Sequence, residues 1–384
     1  MNTRTLLVVI AAAGLTPAAY AQSVTLVANG LNSPRGLAFG PGGSLYVAEA
    51  GLGAGDGNGT GPTGSVTEIN GPGSGHPTAR RILTGLSSVA EGGEALGPHG
   101  ISILGNGEIF VLIGESRFIF PEADQGTALA RQFGQLLTAT QSGQSRPVAD
   151  IGAFSFKWTG DNKNAGFAPA DQFPDANPYA VLALPGLQYV VDAGANTINE
   201  VRPDGSIRII AFVPNPQLPA TPGGPPAVTI SDAVPTCVAQ SPDGHLYIGT
   251  LAFGANFARF DSSAPAFWAS LPPQSKVYRV DPKSPNIFLT EGDVWASGLN
   301  PITGCGFGPN GFYVTEFITQ DSGYSTGDVV RISVNPDGTA GARTALGVGA
   351  LHEPNGFAAG SDGAIYVSNF STSGGVGQVV RVNQ

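Results

Sequence analysis

Short apolar runs recur along the chain, each about as long as a strand and each bounded by glycine, proline, asparagine or aspartate. Leu45-Tyr46-Val47, Ile109-Phe110-Val111, Tyr189-Val190-Val191, Leu246-Tyr247-Ile248, Phe312-Tyr313-Val314 and Ile365-Tyr366-Val367 close six copies of one phrase. The fullest copy opens on Pro34-Arg35-Gly36-Leu37 and ends on Tyr46-Val47-Ala48-Glu49. The others open on Pro98-His99-Gly100, Pro178-Tyr179-Ala180, Pro235-Thr236-Cys237, Thr303-Gly304-Cys305 and Pro354-Asn355-Gly356. Asn106-Gly107, Asp243-Gly244, Asn310-Gly311 and Asp362-Gly363 interrupt four copies and supply the positive φ angles of tight hairpins. Each copy therefore predicts two antiparallel strands.

Two further strands follow in each unit. Third strands are expected at 65–70, 133–140, 197–202, 276–281, 328–334 and 378–383, and fourth strands at 81–86, 148–154, 206–213, 286–290 and 342–346. The sixth unit lacks a fourth strand, and Val24 to Leu31 supplies one from the other end of the chain. Irregular four-stranded repeats of this size mark a propeller. The expected fold is all-β: a six-bladed β-propeller with four-stranded blades, its N-terminal strand closing the last blade and leaving no open sheet edge at the seam. Five or seven blades are the alternatives, because copies two and three match the phrase least well. A short helix within 124–131 is weakly signalled.

Composition agrees with a turn-rich β protein. The 384 residues include 56 glycines and 31 prolines, 41% are hydrophobic, and only 12% are charged, about half the usual globular share. The 28 acidic against 18 basic residues give a formal charge of −10, which argues against a nucleic-acid partner. At the start, Arg4 precedes an apolar stretch, Leu6 to Leu15, too short to span a bilayer. Ala19-Tyr20-Ala21 is a small-x-small cleavage signature. The expectation is a signal peptide over 1–21, one propeller domain over 22–384, a secreted or periplasmic location and no membrane span. In that setting Cys237 and Cys305 are a candidate disulfide between blades four and five: they sit one register place apart in the repeat and so face opposite ways. Two buried free thiols are the alternative.

The copies differ where chemistry is most plausible. The residue after the repeat's proline falls near the channel rim and reads Arg35, His99, Tyr179, Thr236, Thr303 and Asn355. This is a candidate ligand-binding ring at the channel mouth, for a protein, a glycan or a small molecule; a merely wet rim is the other reading. A second set ends the second strands. Of these, Glu49, Asp192, Glu316 and Asn369 are candidate oxygen ligands for a hard cation such as Ca²⁺, or else strand-end caps. Asp56-Gly57-Asn58-Gly59-Thr60 has half the ligand pattern of a calcium loop but lacks the closing acid. No HExxH, GxSxG or phosphate-binding loop occurs, so no catalytic set stands out, and His99 is the one candidate acid or base. The insertions 115–131 and 157–177 add loop length where function tends to sit.

Several strings together resemble the ScyD/ScyE-type secreted proteins, named from the scytonemin biosynthetic cluster and found beyond it. They are Val24-Thr25-Leu26-Val27-Ala28-Asn29-Gly30-Leu31, Gly97-Pro98-His99-Gly100-Ile101, Phe133-Gly134-Gln135-Leu136-Leu137, Val148-Ala149-Asp150-Ile151, Asn177-Pro178-Tyr179 and Val191-Asp192-Ala193-Gly194-Ala195-Asn196. Ala180 departs from the glycine usual in that family. The resemblance implies an NHL-like (TolB-like) six-bladed propeller and carries no established catalytic residues. The leading functional expectation is an extracytoplasmic binding scaffold. The alternative is a metal-dependent hydrolase of the gluconolactonase-like kind, using the strand-end carboxylates with His99. A quinone-dependent sugar dehydrogenase is a third.

Overall fold

The computed structural model describes residues 24–383 apart from 93, 164–173, 219–227, 230, 255–270, 285–286, 321–322 and 324. The expected leader, 1–21, lies outside the described residues.

Six antiparallel blades form a ring. From the channel outward, blade 1 comprises Pro34–Phe39, Leu45–Glu49, Gly59–Asn70 and Thr78–Glu91, with Glu94–Leu96 as an added fifth strand. Blade 2 comprises Pro98–Ile103, Ile109–Ile113, Gln135–Ala139 and Ser145–Asp150, and blade 3 Pro178–Leu184, Leu187–Asp192, Thr197–Val201 and Ile207–Phe212. Blade 4 comprises Pro235–Gln240, Leu246–Thr250, Ser275–Val280 and Val294–Leu299, and blade 5 Ile302–Gly308, Gly311–Glu316, Gly327–Val334 and Ala340–Leu351. Blade 6 takes Phe357–Ala359, Ile365–Asn369 and Gly377–Val382 from the end of the chain and Val24–Leu31 from its start. Val24 pairs with Val382 and Leu26 with Val380, so the seam closes as expected.

The core explains why the second strands read as unbroken apolar runs rather than as alternation. Both faces of each blade pack on a neighbour. All five residues of Leu45–Glu49, of Ile109–Ile113 and of Ile365–Asn369 are buried. The six main hydrophobic clusters each lie between consecutive blades, from 1 and 2 round to 6 and 1. First strands pack side by side around the channel in the same order. That approach accounts for the glycine in the repeated phrase: a Cβ on Gly36 would meet His99 O at 2.7 Å, and one on Gly100 would meet Val181 N at 2.9 Å. Gly304 and Gly356 abut the backbone of Asn355 and Arg35 in the same way. Between blades 4 and 5 the position holds Cys237, which is disulfide-bonded to Cys305 across the interface with a Cα separation of 5.6 Å.

Three expectations need correction. The outer strand of blade 2 ends at Asp150, and 151–154 belong to a helix, Ile151–Asn162. The alternation of Ile151, Ala153 and Phe154 reads as strand, but Asp150 caps a helix by accepting the Ala153 N–H at 2.9 Å. The outer strand of blade 4 is Val294–Leu299, not 286–290. Of that segment, 287–289 brackets blade 3 instead: Phe212 N donates to Ile287 O, and Leu289 N to Phe212 O. In 124–131 the helical content is a single 3-10 turn at Ala130–Gln132.

Candidate functional site

The first strands bring all six slot residues to one end of the channel. His99, Tyr179, Thr236, Thr303 and Asn355 line an inner cavity of about 90 Å³. Arg35, Tyr179, Thr236 and Thr303 line a wider mouth of about 800 Å³, and Tyr179, Thr236 and Thr303 border both cavities. The rest of the mouth is lined by Glu94 and Leu96 of the added strand of blade 1, by Phe253, Phe317 and Glu353, and by 372–374.

Hydrogen bonds divide the ring into two kinds of residue. Thr236 Oγ1 donates to Ile302 O at 2.6 Å and Thr303 Oγ1 to Pro354 O at 2.7 Å, tying blade 4 to 5 and blade 5 to 6. Asn355 Nδ2 donates to Tyr179 Oη at 2.7 Å, from blade 6 to the opposite blade 3, so this bond crosses the channel. Arg35 and His99 are less engaged. Arg35 is 4% exposed, its Nη2 donates to Ala95 O at 2.9 Å, and its Nε has no acceptor. His99 is 1% exposed, packs on the Tyr179 ring at 4.8 Å, and has no partner for either ring nitrogen. Burial, and secondarily the Arg35 charge, holds the imidazole well below its ordinary pKa, so it is neutral at pH 7 and presents one donor and one acceptor.

The second set is placed differently. Glu49 accepts the Asn32 N–H at 2.7 Å, hydroxyls of Ser65 and Thr67, and a two-point bond from Arg81. Asp192 Oδ1 accepts the N–H groups of Asn177 at 2.7 Å and Ala195 at 3.0 Å. Glu316 accepts from Asn300 N and Nδ2, and Asn369 Oδ1 from His352 N at 2.6 Å. In all four blades the side chain fastens the loop that enters the first strand of its own blade. The structure does not bring these four oxygens together, and among the described residues no group of three or more His, Cys, Asp or Glu side chains is arranged to hold a metal ion. Asp56 accepts the Asn58 N–H in an exposed turn.

Sequence reasoning missed an acidic cluster between blades 2 and 3. The two insertions build it. Phe118 of 115–131 stacks on Phe156 of the helix Ile151–Asn162 at 4.6 Å, and Arg117 pairs with Asp150 at 2.9 Å. Thr159 of that helix accepts the Asp175 N–H. Glu115, half-buried, and Asp175, exposed, stand close enough to the buried Asp192 for their charges to act on one another. Burial, then the charges of Asp175 and Asp192, pushes Glu115 up to about 8. Burial raises Asp192 to about 6 against the N–H groups that it accepts. The signal available in the sequence was indirect: three acids flanking two insertions.

No family model matches the chain, and none of the curated proteins compared with it is similar. Solved structures are similar in fold over nearly its whole length. A putative oxidoreductase (glucose dehydrogenase) from Thermus thermophilus is 16% identical, covering 94% of this chain and 99% of its own, with a TM-score of 0.53. A protein of Carbohydrate-Active Enzymes Family AA12 from Trichoderma reesei, in its calcium structure, is 12% identical over 94% and 95% with a TM-score of 0.51. The PQQ-bound aldose sugar dehydrogenase of Streptomyces coelicolor is 13% identical over 94% and 98% with a TM-score of 0.50. The chain is a six-bladed β-propeller like its structural neighbours, and at these identities the likeness is one of fold. No helix among the described residues is long and apolar enough to cross a membrane.

Proposed function

We propose that this protein is a binding scaffold of the ScyD/ScyE type, exported and processed after Ala21, whose ligand enters at the channel mouth. One observation carries this reading: the six residues of the repeat's variable slot, of five different kinds, border an inner cavity or an 800 Å³ mouth, a volume suited to a small molecule or the end of a glycan. The lactonase-like alternative needs Glu49, Asp192, Glu316 and Asn369 as metal ligands. The backbone N–H groups that each of them accepts weigh against it, as does their separation into four blades.

The test is a thermal-shift screen of the mature chain against small organic acids, amides and oligosaccharides, repeated on Thr372→Trp, which fills the mouth from a half-buried loop position. Ligands should raise the midpoint of the wild type and leave that of the variant unmoved. Equal shifts in both proteins would place binding elsewhere and overturn the reading. The exported state is checked separately by N-terminal sequencing of secreted material, which should begin at Gln22.

A further inference from the structure

We propose that the ligand of this mouth is a small organic anion with an apolar body, its carboxylate or equivalent oxyanion held by Arg35. The inference rests on the binding reading above and adds the chemical class of what binds.

Three arginines of the outer blade strands show what Arg35 lacks. Arg81 reaches Glu49 at 2.7 Å, Arg80 reaches Glu68 at 2.7 Å, and Arg208 reaches Glu200 at 2.7 Å, with arginine side chains 40%, 60% and 57% exposed. Arg35 is 4% exposed, and its nearest carboxylate is Glu94 Oε1 at 3.8 Å from Nη2, beyond hydrogen-bond reach, on a side chain 63% exposed. So the most buried of these guanidinium groups is the least neutralised. A buried cation whose one carboxylate partner stands beyond hydrogen-bond reach on an exposed side chain is poorly compensated, and its Nε is buried without an acceptor, so a closer counter-charge arriving at the mouth that Arg35 lines would be favoured.

The surroundings specify the rest of the ligand. Leu96, Phe253 and Phe317 line the same mouth and give it an apolar wall. Glu353, the other acid on the wall, already accepts the Thr372 hydroxyl. Arginine is the residue suited to planar two-point recognition of a carboxylate. An acid with an aromatic or branched aliphatic body matches charge and wall together. Glu94 then acts as a weak resident counter-ion that the ligand replaces.

The experiment compares benzoate, cinnamate and 4-methylpentanoate with their primary amides, by saturation-transfer NMR and calorimetry on the mature wild-type chain. The acids should bind about tenfold tighter than the amides, the advantage of a charge-assisted hydrogen bond. Arg35→Gln should erase that preference and Glu94→Gln should widen it. Acids and amides of equal affinity, no measurable binding of any acid, or a preference unchanged in Arg35→Gln would each overturn the inference. Should Arg35→Gln fail to fold, the wild-type acid–amide ratio and the Glu94→Gln shift decide it. Equal acid and amide binding that Thr372→Trp abolishes would remove the anion and leave the mouth. Binding that Thr372→Trp does not touch would remove the mouth itself.

Discussion

Two sets of polar residues lie one strand apart in the same ring, and they are used differently. The strand-end set is chemically alike, being acids or an amide, and each member accepts an N–H of its own entering loop, with only Asp192 Oδ2 left buried without a partner. The ring set is chemically mixed, and two of its members, Arg35 and His99, keep three buried nitrogens without partners and hold no entering loop. Likeness across these four blades accompanies a shared structural duty, the holding of a loop whose N–H would otherwise be buried unpaired. Unlikeness at one slot accompanies a surface that no single blade owns.

The contrast can be broken at its strongest point first. Glu49→Ala strips the partners from Asn32 N, Ser65, Thr67 and the partly exposed Arg81, and should cost about 3–5 kcal/mol, read by urea unfolding. A loss under about 1 kcal/mol would mean the carboxylate does little to hold its loop. Next, the Cys237→Ala/Cys305→Ala pair opens a crosslink spanning 68 residues and should cost about 2–4 kcal/mol, chiefly through the unfolded chain. Unfolding the wild type with and without reductant should give the same difference.

The acidic cluster between blades 2 and 3 offers a third, pH-dependent test. The Glu115 carboxyl ionises near 4.5 in an unfolded chain and near 8 in the fold, and the Asp192 carboxyl shifts from 3.8 to about 6. The native state therefore holds more protons than the unfolded state between these values, so stability falls as pH rises. The wild type should lose about 2–3 kcal/mol between pH 5 and 8, the two groups being partly alternative sites for one repulsion. Glu115→Gln should flatten most of that slope, and a wild-type profile that is flat or rising over the range would contradict the placement. The smallest effect belongs to the ring. Tyr179→Phe removes only the cross-channel acceptor for Asn355 and should cost about 1 kcal/mol, with unchanged far-ultraviolet circular dichroism. A loss comparable to that of Glu49→Ala would make the ring as structural as the strand ends and erase the comparison.

Legibility followed the range of the interactions. Turn dipeptides, apolar runs and the displaced strand Val24–Leu31 act locally or repeat six times, so the blade count and the closure were open to sequence reasoning. The ring positions were legible because a repeat converts one alignment into a circle. The helix Ile151–Asn162 was not, since its apolar spacing imitates a strand and only the Asp150 cap argues otherwise. Nor was the outer strand of blade 4, because 287–289 pairs across blades with Phe212, a choice that no local pattern encodes.

The primary structure alone thus dictates six blades, a seam closed by the N-terminal strand, and glycine at four of the six places where neighbouring first strands nearly touch, because each follows from backbone geometry and periodic burial. Which polar groups are satisfied is decided only by the folded ring. Glu49 and Arg35 look equally available in the linear chain, and the fold engages one with Asn32, Ser65, Thr67 and Arg81 while burying the other with an unpaired Nε. The physical reason is that hydrogen-bond satisfaction depends on what six separate blades bring within about 3 Å of one another, and that distance is a property of the assembled ring.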